Sequence, residues 1–210
     1  MKSPHFVQGN HQYMAMQQGI LNLLVTRQGH FSLESGHHGS LWLDLERLFL
    51  RPKAIQPFTK ELAHKLSRYN IAAVCGALIG GGFLAQTIAS ELGVEFYYTE
   101  RFMLPQPDDL YSVKYRLPDG LRRLVHGKDV AIIDDVINAG SAMRGTYEAM
   151  QSCGANPVAI GALLVLGLSA SSFCSNQKIP LEYIACLPND IWLPSECPLC
   201  ASRIPLEDIK

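Results

Sequence analysis

Two adjacent carboxylates, Asp134 and Asp135, follow the apolar run Val130-Ala-Ile-Ile133 and precede Asn138-Ala-Gly-Ser-Ala142. Ionised carboxylates only accept hydrogen bonds, so a neighbouring pair suits vicinal hydroxyls such as those of a ribose. A loop of small residues entering a helix lets backbone N–H groups approach a phosphate, the helix N-terminus adds a favourable dipole, and Ser141 supplies a hydroxyl donor. The combination fits a phosphorylated sugar better than free phosphate. An Asp-Asp pair alone reads as a solvated turn with a helix cap. Here the apolar strand before it and the small-residue loop after it favour the ligand site. A P-loop is excluded, because no Gly-Lys-Ser/Thr stands at the helix start.

A second glycine-rich segment, Gly76-Ala-Leu-Ile-Gly-Gly-Gly82, has the chemistry of an anion loop. Gly80, Gly81 and Gly82 permit positive φ and close backbone approach to an anion, although such a run also serves to pack a helix against a strand. Between Thr99 and Val130 lie the cations Arg101, Lys114, Arg116, Arg122, Arg123 and Lys128. Pro105, Pro107, Asp108, Asp109, Pro118, Asp119 and Gly120 mark turns in that stretch. His37, His38, Trp42 and Tyr98 can contact a heterocycle, against the simpler readings of solvated histidines and core aromatics. Cys197-Pro-Leu-Cys200 has metal-knuckle spacing but supplies only half of a tetrahedral site, so no metal ligands are assigned from the sequence.

These groups need a frame. Residues 14–25 read as a short amphipathic helix, Gly29–Leu33 and Leu41–Leu45 as strands about the turn Ser35–Ser40, and Pro52 as the first residue of a helix. That helix places Ile55, Phe58, Thr59, Leu62, Ala63 and Leu66 on one face. From Ile71 the pattern alternates. Strands are expected at 71–75, 94–98, 130–133 and 157–168, with helices at 83–92 and 142–153. Apolar strands separated by helices predict an α/β fold, a mainly parallel sheet flanked by helices, with ligands beyond the carboxyl ends of the strands.

With 210 residues, 48% of them hydrophobic, the chain is expected to form a single domain, 1–210. A formal net charge of −1 without a basic patch argues against nucleic acid. Neither a signal-peptide core nor an apolar run of membrane-spanning length is evident, so a cytoplasmic protein that does not enter a membrane is expected. The six cysteines are expected to be largely reduced and structural.

Val130–Ala142 resembles the signature for 5-phosphoribosyl 1-pyrophosphate (PRPP) of the type I phosphoribosyltransferases. Asn138 stands where a Thr or similar small residue is usual. The resemblance is strongest to the orotate-specific branch: Gly29-His-Phe-Ser-Leu-Glu-Ser-Gly36 is similar to its N-terminal hood segment, Gly76–Gly82 to its pyrophosphate loop, and Thr99-Glu-Arg101 follows in place. Two positions depart. Glu34 replaces a frequent lysine, and Phe102 stands where a lysine usually follows Arg101.

The resemblance implies a type I phosphoribosyltransferase fold with a hood at 14–50 and a C-terminal tail at 186–210. It implies Mg2+-dependent transfer of phosphoribose from PRPP to orotate, giving orotidine 5'-phosphate and pyrophosphate in pyrimidine biosynthesis. Asp134 and Asp135 would hold ribose hydroxyls, Asn138, Ala139, Gly140, Ser141 and Ala142 the 5-phosphate, and Gly80–Gly82 the pyrophosphate. Arg101 with Lys114 or Arg116 would meet the leaving charge. It further implies a homodimer in which the stretch after Thr99 closes over the neighbouring site; Tyr111–Arg116 fits a strand-turn-strand form of that closing element. A phosphoribosyltransferase for another base and a non-catalytic PRPP-binding regulator remain alternatives.

Overall fold

The computed structural model describes residues 14–103 and 113–208. Pro105, Pro107, Asp108, Asp109 and Tyr111 lie outside the described residues. The elements follow in chain order: α1 (14–21), β1 (Val25–Ser32), β2 (His38–Asp44), α2 (Pro52–Leu66), β3 (Ala73–Ala77), α3 (Gly80–Leu92), β4 (Glu95–Met103) and β5 (Val113–Arg116). Then come α4 (Asp119–Arg122), β6 (Asp129–Ile137), α5 (Ser141–Ser152), β7 (Asn156–Leu166), α6 (Ser169–Gln177), β8 (Leu181–Leu187), β9 (Ile191–Trp192) and α7 (Pro198–Ala201).

The strands form a six-stranded sheet in the order β5-β4-β3-β6-β7-β8 and a three-stranded sheet in the order β1-β2-β9. In the larger sheet every pairing is parallel except β4 with the edge strand β5. Both faces are covered, so its central strands carry unbroken apolar runs such as Val130–Ile133 in β6, a run that ends at the two acids. Ile133 packs with Leu62 and Leu66 of α2 and Leu84 and Ile88 of α3. Ile132 faces the other way, with Met143, Tyr147 and Met150 of α5 and Phe173 of α6. The helix begun by Pro52 buries the predicted face of Ile55, Phe58, Thr59, Leu62, Ala63 and Leu66. Leu41 and Leu43 of β2 pack against the same cluster, joining the small sheet to the large one.

Several boundaries differ from the sequence reading, for local reasons. The first helix stops at 21, and Val25 already belongs to β1. His38, Gly39 and Ser40, read as a turn, are paired strand because β9 docks on β2 through His38↔Trp192 and Gly39↔Ile191. Strand β6 runs on through both acids to Ile137, because β7 keeps pairing with it there. Neither α6, β8 nor β9 was anticipated. Ser169–Gln177 is polar and lacks a strong apolar stripe, and the two-residue β9 is held by its partner strand rather than by propensity.

Candidate active site

A cleft of about 790 Å3 opens between the carboxyl end of β6, the start of α5 and the small sheet. Asp134, Asp135, Asn138, Ala139, Gly140, Ser141 and Ala142 line its floor, and Leu33, Glu34, Ser35 and the stretch from Leu41 to Glu46 line the opposite wall. The two acids are buried, at 6% and 7% exposure. Their nearest donors are backbone amides: Asp135 N–H donates to Asp134 Oδ1 at 3.2 Å and Val136 N–H to Asp135 Oδ1 at 3.0 Å. Among the described residues no cation forms an ion pair with either acid. Burial pushes the Asp134 carboxyl well above the usual carboxylate range, with the Asp135 charge adding to it, and burial also raises Asp135. Such a pair calls for a ligand that brings hydroxyl donors or a cation.

The loop after the acids has a geometry that an anion could occupy. Gly140 adopts φ +86° and caps α5 without a side-chain hydrogen bond, and the first helical bond of the loop is Arg144 N–H to Gly140 C=O at 2.9 Å. The amides of the first turn therefore face the cleft beside Ser141, where the helix dipole favours negative charge. Residues that the sequence did not single out brace this loop. Ser169 Oγ donates to the Ala139 carbonyl at 2.7 Å, and Asn189 Nδ2 donates to Asn138 Oδ1 at 3.0 Å. Arg144 Nη2 donates to Ser169 Oγ at 3.0 Å. Ser169 lies on α6 and Asn189 just after β8, elements whose existence the sequence reading missed, so no local signal pointed to them.

Gly80, Gly81 and Gly82 form the first turn of α3 rather than a loop before it, and none has positive φ. Their small size serves close approach. A Cβ on Gly80 would stand 2.2 Å from Asp135 Oδ2, one on Gly81 3.0 Å from the Ile133 carbonyl, and one on Gly76 2.1 Å from the Gly81 carbonyl. The glycine-rich segment is thus brought against the acids from the β3 side. It does not itself line the cleft wall.

The cations fall differently. Arg101 Nη1 lies 3.3 Å from Glu34 Oε2, and the Tyr115 hydroxyl donates to Glu34 Oε1 at 2.7 Å. Glu34 faces the cleft wall and engages Arg101; burial and that carboxylate push the Tyr115 hydroxyl up, so it stays protonated. Lys114 and Arg116 are not brought to this cleft. Val113 and Tyr115 take the buried positions of β5, so the alternation turns Lys114 and Arg116 to its other face, where the Arg116 guanidinium lies 5.5 Å from the Phe102 ring centre. Trp42 lines the cleft, whereas Tyr98 stacks on Phe96 with centroids 6.1 Å apart and His37 is tied to Ser35 Oγ at 3.0 Å. Burial and the nearby Arg144 charge lower the His37 imidazole. His38 is buried beside His30, outside the cleft lining.

No protein-family model matches the chain. Curated relatives do. An orotate phosphoribosyltransferase of Caldanaerobacter subterraneus is 29% identical over 184 residues, covering 88% of this chain and 90% of the relative. One of Thermotoga maritima is 28% identical over 186 residues, covering 86% and 89%. Among solved structures, orotate phosphoribosyltransferase from Aeropyrum pernix superposes with TM-score 0.58 at 22% identity, over 81% of this chain and 93% of that one. Adenine phosphoribosyltransferase from Thermoanaerobacter pseudethanolicus does so with TM-score 0.61 at 16% identity, over 81% and 99%. Shape alone therefore does not separate orotate from adenine enzymes; both sequence relatives are orotate phosphoribosyltransferases. The chain has the fold of the type I phosphoribosyltransferases, and its sequence is like that of the orotate phosphoribosyltransferases.

Proposed function

We propose that the chain transfers phosphoribose from PRPP to orotate, releasing pyrophosphate, as a single-domain cytoplasmic enzyme of pyrimidine synthesis. The observation that carries this reading is the meeting, in one cleft, of two buried, unpaired carboxylates and a helix N-terminus lined by small residues. The 5-phosphate sits on the amides of Asn138–Ala142, and the 2- and 3-hydroxyls of the ribose donate to Asp134 and Asp135. That fixes the anomeric carbon above the floor. A ring nitrogen of orotate forms the new bond to C1 as the C1–pyrophosphate bond breaks; both electrons of that bond leave with pyrophosphate, which also takes up the proton that the nitrogen sheds. Gly80–Gly82 lie beside Asp135 at the edge where the leaving group would rest. Holding both reactants in line contributes a large share of the rate through lost translational freedom already supplied by binding.

The donor set fits Mg2+. Two buried carboxylates with no ion-pair partner among the described residues match a hard cation that prefers oxygen ligands and retains waters. Asp134 and Asp135 would hold it through the ribose hydroxyls, and it would supply neutralisation of the charge developing on pyrophosphate. Arg101, released from Glu34, adds to that neutralisation. Lys114 and Arg116, turned from their own cleft, would serve the cleft of a second copy in a homodimer.

A second reading, a PRPP-binding regulator without turnover, draws on one observation: Glu34 holds Arg101, and neither Lys114 nor Arg116 lines the cleft. Assay of the purified chain with PRPP, Mg2+ and orotate, adenine or uracil separates the readings. Orotidine 5'-phosphate formation supports the enzyme; turnover of adenine alone overturns the base assignment; PRPP binding without turnover of any base supports the regulator.

A further inference from the structure

Away from the acids, four side chains with metal-ligating atoms converge: His30 in β1, His38 in β2, and Cys197 and Cys200 at α7, all within 4.8 Å of one another. His30 Nε2 lies 3.1 Å from His38 Nδ1, 3.4 Å from Cys197 Sγ and 3.7 Å from Cys200 Sγ, and Cys200 Sγ is 3.3 Å from His38 Nδ1. One imidazole nitrogen has a single proton or a single lone pair, so it cannot satisfy three such neighbours by hydrogen bonding. A tetrahedral ion with Zn–N about 2.0–2.1 Å and Zn–S about 2.3 Å would set the nitrogens about 3.3 Å apart and each nitrogen about 3.5 Å from each sulfur. The observed separations fall around those values.

The surroundings agree. His30 Nδ1 is 2.7 Å from the Ile204 carbonyl, a contact that requires Nδ1 to carry the proton and leaves the Nε2 lone pair aimed at the cluster. His30, His38 and Cys197 are buried at 1%, 7% and 3% exposure. The β1–β2 register breaks between Gln28 and Phe31, a bulge that re-aims His30 towards β2 and the tail. Two thiolates and two neutral imidazoles cancel a divalent charge, which suits burial.

We propose that His30, His38, Cys197 and Cys200 form a structural Zn2+ site that fastens the C-terminal tail to the β1–β2 hairpin. The site is closed, four protein ligands leaving no position for substrate, so its role is to hold shape. What it holds is the cleft wall: Leu33, Glu34 and Ser35 lie between its two histidines, and Leu41–Glu46 follow the second. The fold supplies the second half that Cys-Pro-Leu-Cys lacked, in the pair His30 and His38 on neighbouring strands.

Elemental analysis of the purified chain is expected to give about one zinc per chain, retained in Asp135→Asn and falling below about a tenth in Cys197→Ser/Cys200→Ser. Because that double variant can fail to fold, Co2+ titration of the reduced, metal-stripped wild-type chain is the parallel test. It should yield the visible absorption of tetrahedral Co2+ with a thiolate-to-cobalt charge-transfer band, saturating at about one equivalent. Absence of stoichiometric zinc after growth with added zinc, or Co2+ binding without the thiolate band, overturns the proposal. Zinc content and the Co2+ spectrum are read without PRPP, so either result leaves the assignment of the β6–α5 cleft to its own assay.

Discussion

Asp134 and Asp135 carry the sharpest consequences at the scale of the residue. Their carboxyls are raised by burial, so the ligand-free folded chain keeps protons that the unfolded chain loses around the ordinary value of 3.8. Stability is therefore fully present below that value and declines as pH climbs towards the raised folded values. Asp134→Asn should leave only the Asp135 part of the decline and raise the ligand-free melting temperature at pH 8 by about 2–4 °C for each 1 kcal/mol recovered, the gap closing near pH 4. The same change should cut turnover by about 10^2-fold, since it removes a transition-state acceptor. Melting curves across pH with parallel assays check both; lower stability at pH 8 would contradict the burial argument. Glu34→Gln should free Arg101 and lower the KM for PRPP by about threefold, a modest change because the pair is half exposed. The acids were legible in the sequence because strand, carboxylates and small-residue loop are contiguous. The Glu34–Arg101–Tyr115 contact was not, because its members lie far apart in the chain and meet only when β5 pairs with β4.

At the scale of the element, the site depends on how closely α3 and α5 approach β6. The glycines of α3 were legible as an anion-loop signal, but their reason for being glycine was not: the helix starts against the Asp135 carboxylate, a distance that only the folded register sets. Gly80→Ala should displace that carboxylate and reduce kcat by more than about tenfold while the far-ultraviolet dichroism stays that of the wild type, because one Cβ at 2.2 Å meets a side-chain oxygen. Unchanged kinetics would show that the acid has room to move without consequence. On the other side, α6 reaches back through Ser169 to the loop proposed to hold the 5-phosphate. Ser169→Ala removes the donor to the Ala139 carbonyl and the acceptor of Arg144 Nη2, two hydrogen bonds of about 1 kcal/mol each, and the KM for PRPP should rise about fivefold or more with kcat little changed. A fall in kcat alone would mean that Ser169 acts elsewhere than on the loop. No amphipathic stripe announced α6, and the bond it makes crosses 30 residues of sequence.

For the whole molecule, the mainly parallel sheet follows from alternating apolar strands and helices, which is why the architecture was readable while its strand order and edges were not. Short β9 and the antiparallel β5 exist through their partners, and the tail closes on the hairpin through side chains from opposite ends of the chain. The homodimer is testable through the outward face of β5. Lys114→Ala and Asp135→Asn should each be nearly inactive, and mixing them should restore about a quarter of wild-type sites, the statistical yield of one intact cleft in each mixed dimer. No recovery would place Lys114 outside the partner's cleft. The central claim, that the β6–α5 cleft holds PRPP and transfers its phosphoribose to orotate, is tested most directly by quantifying orotidine 5'-phosphate formed by the purified chain from PRPP, Mg2+ and orotate. The proposed function predicts turnover that disappears with a Mg2+ chelator and falls about 10^2-fold in Asp135→Asn. Equal product formation by Asp135→Asn, or none by the wild-type chain, would contradict it.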